Sequence, residues 1–273
     1  MHRFSRLIAA LAGVVAACSP AGTTALPTEA PTAARTAPVS LVVFAAASLR
    51  DAMEGAAASY SAALPGATIQ ISTDSSATLR TQIEQGAPAD LFLSADTRNP
   101  QTLVDAGLTD GPSVSFAGNT LTIIVPIANP AGIRSPADLA RAGVKVIAAG
   151  DDVPITKYTS DLIRRLSASD GYPAGFAAAL VANVVSKEDN VKAIVTKIAL
   201  GEGDVGIVYR SDAHGRDDVT TIPIPGDLNV TATYAGVVVK ASANVAAAHA
   251  FLEWLLGPDG QAALSTFGFR PPG

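Results

Sequence analysis

Residues 41–96 alternate strand and helix signatures three times over, and that order confines the chain to a sheet with parallel neighbours. LVVFAAA (41–47) is a continuous β-branched-rich run of the kind buried on both faces. Ser48 stands where an N-cap belongs, and apolar residues then recur at helical spacing through LRDAMEGAAASYSAAL. Pro65-Gly66 marks a turn, ATIQIS (67–72) reads as a strand, and Ser75-Ser76 precede a second helix, ATLRTQIEQG. ADLFLSAD (89–96) is a further strand, leading into a helix near 97–106. Parallel strands need crossover helices on the sheet faces, so the class is α/β.

A second set begins at LTIIVPI (121–127). A turn at Asn129-Pro130, a short helix at 136–141 and strand KVIAAG (145–150) follow, then the loop DDVPIT and a helix over 157–167. The remaining signals are a helix over 190–200, strands VGIVYR (205–210), TTIPIP (220–225) and YAGVVVK (234–240), and helices at 244–256 and 259–267. Two such sets in about 235 residues predict two lobes of similar size: 39–120 with 231–273, and 121–230.

The beginning of the chain has a different character. Arg3 and Arg6 precede an apolar run, Leu7–Ala17, which at about 1.5 Å per residue is too short to span a bilayer. Residues 1–17 therefore read as a secretory signal. The run ends Val15-Ala16-Ala17-Cys18, which resembles a bacterial lipobox and implies a lipid on Cys18. Loss of Arg3 and Arg6 takes the net charge from −5 to −7. Residues 19–38, with four prolines among Ala and Thr, form a tether. The expected location is the outer face of the bacterial cytoplasmic membrane.

Composition removes several function classes. An acidic balance argues against nucleic acid, whose phosphates need clustered Lys and Arg. A single Cys excludes an internal disulfide and any multi-Cys metal site, and three His (2, 214 and 249) leave little for a His-rich one. GEGDVG (201–206) has the glycine spacing of a dinucleotide loop, but a helix precedes it and a strand follows, the reverse of what phosphate binding requires. Gly201 and Gly203 read instead as a helix stop. A serine hydrolase built on Ser48 or Ser76 would lack a base, since no His lies in either motif. What remains is a pair of hydroxyls at helix starts on one sheet edge. Unpaired N–H groups and a partial charge of roughly +0.5 there suit a small anion.

Phe44–Leu49, Ser75–Leu79, the block GAPADLFLSAD (86–96) and GIVYRSDA (206–213) together resemble the molybdate-binding proteins of ABC importers, the ModA family. The resemblance runs from about Leu41 to Phe269. It implies a type II periplasmic-binding-protein fold: two α/β lobes, a ligand cleft and two connecting segments. It also implies a monomer without cofactor or catalysis, whose ligand is molybdate or tungstate and whose partner is an ABC permease. Carried over motif by motif, it assigns the hydroxyls of Ser48, Ser76 and Tyr209 and the backbone N–H groups of Ile155 and Val191 as donors. Two positions depart from the family pattern. Ile155-Thr156 replaces a smaller pair after Val153-Pro154, and Asn190 is an extra residue before Val191. Asp74, two residues before Ser76, would repel a dianion and is expected to face solvent or a neighbouring donor. Other tetrahedral oxyanions, sulfate among them, are the alternative ligands; discrimination would rest on cavity size.

Overall fold

The computed structural model describes residues 39–272. The expected leader, Cys18 and the tether lie outside the described residues. The first part of the chain forms β1 (Val39–Ala46), a 3-10 turn (Ala47–Leu49), α1 (Arg50–Ala63), β2 (Ala67–Asp74), α2 (Ser76–Glu84), β3 (Leu91–Ser94), α3 (Arg98–Asp105) and the long strand β4 (Thr109–Pro126). A 3-10 turn at Pro136–Ala140 leads to β5 (Val146–Ala149), α4 (Pro154–Ser167), α5 (Phe176–Ala182), β6 (Val184–Glu188), α6 (Val191–Ala199) and β7 (Val205–Tyr209). After another 3-10 turn (Arg210–Ala213) come β8 (Val219–Ile222), β9 (Thr231–Val239), α7 (Val245–Leu256) and α8 (Pro258–Ser265).

The strands follow the order β2-β1-β3-β9-β4-β7-β5-β6, with β8 also on β4. β1 is parallel to β2 and β3, and β5 is parallel to β6 and β7, as alternating strand and helix demand. β9 joins the two groups by running antiparallel to β3 and β4. β3 and β7 are buried along their whole length, whereas β2 alternates between half-buried and exposed residues, as befits a sheet edge.

One strand serves two sets of partners. Up to Thr120, β4 pairs with β9 (Thr120 opposite Thr231); from Leu121 it pairs with β7 (Leu121 opposite Tyr209). Beside this change the Asn229 side chain completes the ladder. Its Nδ2 donates to Leu121 O at 2.9 Å and its Oδ1 accepts the Leu121 N–H at 3.1 Å.

Several elements differ from their sequence signals. Ser48 is not an N-cap: the backbone makes one 3-10 turn after β1, α1 starts at Arg50, and Leu49 occupies the cap position without a side-chain bond. α4 starts at Pro154 rather than near residue 157, because Pro is favoured in the first helical turn, where its missing N–H costs nothing. α5, β6 and the first half of β4 gave no readable signal. Gly201, left-handed at φ +74°, does end α6, and β7 follows it, so the glycine pair stops a helix.

Candidate functional site

Three helix starts and one tight turn meet at a small cavity lined by Ser48, Ser76, Ile155, Val191 and Tyr209, with Ser75, Ala95 and Asn190 beside them. Its free core measures about 10 Å³, close to the room one water centre needs. All five residues singled out by the resemblance therefore face one space, although they come from five separate stretches of chain.

Each helix start leaves a specific donor open. At α2 the capping is done by Ser75, whose Oγ accepts the Thr78 N–H at 3.2 Å, so Ser76 is free of that duty. Ser76 Oγ accepts the buried Ala95 N–H at 3.0 Å instead. A serine oxygen that already accepts a fixed donor has its own proton left to give. At α4, Val153 cannot cap, Pro154 has no N–H, and the Thr156 N–H is taken by Val153 O at 3.0 Å. Ile155 supplies the first open amide. At α6, Asn190 Oδ1 accepts the Ala193 N–H at 3.2 Å, which leaves the Val191 N–H uncapped. The extra residue before Val191 is thus the cap.

Ser48 and Tyr209 complete the set. Ser48 Oγ lies 2.9 Å from Tyr234 Oη, and both residues are buried. Tyr209 is 1 % exposed, and its hydroxyl has no hydrogen-bond partner among the described residues. Burial first, and then the neighbouring tyrosines and acids, push its pKa well above the ordinary tyrosine value, so the phenol stays protonated. Its backbone N–H is held by Asp212 Oδ2 at 3.2 Å. Among the described residues, no lysine, arginine or histidine lines the cavity. Its electrostatics come from helix ends and neutral donors.

The nearby acids are already engaged. Asp74 Oδ1 accepts the Ser75 N–H at 2.7 Å and faces Asn190 Nδ2 at 3.5 Å, so it meets neighbouring donors as expected. In the GAPADLFLSAD block, Asp90 Oδ2 accepts the Val42 N–H at 2.7 Å. Asp96 takes the Ser94 hydroxyl at 2.8 Å and the Asn99 backbone N–H at 3.0 Å. These two acids brace the framework. Neither His214 nor His249 lines the cavity, and His249 pairs with Asp110 at 2.8 Å on the surface. Ala95 and Tyr234 escaped the sequence analysis, and Asn190 was marked there as an extra residue without its capping role. The Ser-Ala-Asp ending of β3 was a signal for the first, an Asn at a helix start was one for the cap, and nothing local marked Tyr234.

Open amides and hydroxyls gathered beyond strand ends make a pocket suited to a small anionic solute. The chain belongs to the bacterial extracellular solute-binding protein family, whose model matches residues 41–270. It is 34% identical over 272 residues to the molybdate-binding protein ModA of Mycobacterium tuberculosis, spanning 98% of this chain and 100% of that one. Among solved structures it resembles the periplasmic molybdate-binding protein of Azotobacter vinelandii (TM-score 0.73, 23% identity, 85% of this chain and 100% of that one). It resembles equally the sulfate-binding protein SubI of M. tuberculosis (TM-score 0.75, 24% identity, 85% of this chain and 87% of that one). These likenesses establish the periplasmic-binding-protein fold.

Proposed function

We propose that this is an extracytoplasmic lipoprotein that captures molybdate, with tungstate as a second ligand, and delivers it to an ABC permease. Cys18 carries the lipid, the protein acts as a monomer, and it catalyses no reaction. Ser48, Ser76 and Tyr209 donate through hydroxyls, and Ile155 and Val191 through backbone amides. The observation that carries this reading is the buried Tyr209 hydroxyl. It faces the cavity without a protein acceptor among the described residues and needs one from a ligand.

A donor-only cage suits a dianion without acidic protons. Each bond to a charged acceptor contributes roughly 1.5–3 kcal/mol, so a handful offsets the cost of ordering and desolvation. A protonated oxyanion would bring an O–H that finds no free acceptor. The ligand itself is suggested by the relative that is 34% identical across the chain and named for molybdate. Two lobes, 39–120 with 231–273 and 121–230, would close on it; the change of partners along β4 at Thr120–Leu121 supports that division.

Thermal unfolding with molybdate, tungstate, sulfate and phosphate tests the reading. Ligand at a hundred times its dissociation constant adds about 2.7 kcal/mol to stability. Molybdate and tungstate are expected to raise the midpoint at concentrations where sulfate does not. A larger shift with sulfate would assign the site to that anion, and no shift with any oxyanion would remove the anion reading altogether.

A further inference from the structure

We infer that Tyr234, which lines no part of the cavity, is a positioning residue for anion capture: its phenol donates to Ser48 Oγ and so commits the serine proton to the ligand. This rests on the reading of Ser48 as an anion donor.

The Ser48–Tyr234 contact, at 2.9 Å, can run in either direction by distance alone. The surroundings of Tyr234 choose one. Its ring is fully buried and clamped edge-on by Phe116, Tyr209 and Phe269, with centroids 6.3, 5.5 and 5.3 Å away. The hydroxyl therefore has one position. Asn119, on the neighbouring strand, is engaged elsewhere: its Oδ1 accepts the Thr120 N–H at 2.9 Å and its Nδ2 donates to Ser211 Oγ at 2.8 Å. Among the described residues Ser48 Oγ is the hydrogen-bond partner of the Tyr234 hydroxyl. A buried phenol gives its single proton to the acceptor within reach, whereas Ser48, which lines the cavity, has a second direction for its own.

The result is a chain of donation from Tyr234 to Ser48 to the cavity. Ser76 stands in the same relation to the Ala95 N–H, at 3.0 Å. In both serines a framework donor occupies the oxygen and sends the hydroxyl proton inward. For Ser76 that donor is backbone. For Ser48 it is the tyrosine, which a point substitution can remove.

The experiment is a calorimetric titration of the full chain with sodium molybdate in wild type, Tyr234→Phe, Ser48→Ala, Ser76→Ala and the two double variants containing Tyr234→Phe. Phe keeps the ring and its three edge contacts, and the unfolding midpoint of each ligand-free variant reports retention of the fold. Tyr234→Phe is expected to weaken binding about three- to tenfold. Combined with Ser48→Ala it adds less than twofold, because the residue it acts through is gone. Combined with Ser76→Ala its effect multiplies in full. Binding by Tyr234→Phe as tight as wild type overturns the inference, as does full multiplication with Ser48→Ala. Absence of molybdate binding by wild type would instead count against the functional reading beneath it.

Discussion

Lys192 Nζ lies 2.8 Å from Asp51 Oδ2, tying the first turn of α6 to the first turn of α1. The same ammonium stands 3.6 Å from the fully buried Asp212 Oδ1. Asp51 is largely exposed, so its part of the pair contributes little in water. Asp51→Asn is expected to change molybdate affinity less than about threefold. Lys192→Met leaves a buried carboxylate without its cation, which is the expensive case, on the order of 3–5 kcal/mol. Denaturant unfolding should show a marked loss for Lys192→Met and almost none for Asp51→Asn.

Burial pushes the Asp212 carboxyl up from 3.8 to about 6, against the opposing pull of Lys192 and the Tyr209 N–H. Below about pH 4 the group is protonated in both folded and unfolded chains. Between about pH 4 and 6 the unfolded chain releases the proton while the folded protein still holds it, so stability falls as pH rises, then levels off above the folded pKa. Asp212→Asn should flatten this slope in unfolding free energies measured from pH 4 to 7. Molybdate affinity between pH 7 and 9 should stay within roughly threefold, since Tyr209, the one ionisable residue lining the cavity among the described residues, stays protonated.

Tyr209→Phe separates stability from binding. An unpaired buried hydroxyl costs roughly 1–3 kcal/mol, so its removal should leave the ligand-free protein as stable as wild type or more so. Molybdate binding should weaken about tenfold. A variant that lost stability with unchanged affinity would show that the hydroxyl serves the fold.

Neighbouring serines should behave differently. Ser75→Ala removes the cap of α2 and is expected to cost about 1 kcal/mol of stability with little change in affinity. Ser76→Ala should weaken binding ten- to a hundredfold. Calorimetry on both variants checks the assignment, and a reversed order would move the donor to Ser75.

Cys18→Ala should leave the fold untouched and move the protein from the membrane fraction into soluble material. Wild type found wholly soluble outside the cell would remove the lipid anchor from the proposal.

The parallel half of the sheet was legible because runs such as LVVFAAA are buried on both faces and end at turn residues. The first half of β4 was not. Bulges between Asp110 and Val114 and between Ser115 and Ala117 break the two-residue alternation that marks a strand. α5 and β6 were hidden because Val181 and Val185 are exposed, at 63% and 58%, so neither element carries a clean apolar face. Of the candidate site, residue identities could be read from motifs, but the partners that give each donor its direction could not. Ser48 and Tyr234 are 186 positions apart, and the Ala95 N–H meets Ser76 only once β3 lies beside β1.

The Asn229 carboxamide makes a stretch of backbone answerable to one side chain. Rungs elsewhere in the sheet join peptide to peptide and survive most substitutions. Here the partner of both Leu121 polar groups is a carboxamide, itself pinned by the Val230 N–H at 2.7 Å on the same Oδ1. A single replacement at Asn229 therefore strips Leu121 of these bonds at the point where β4 changes neighbours.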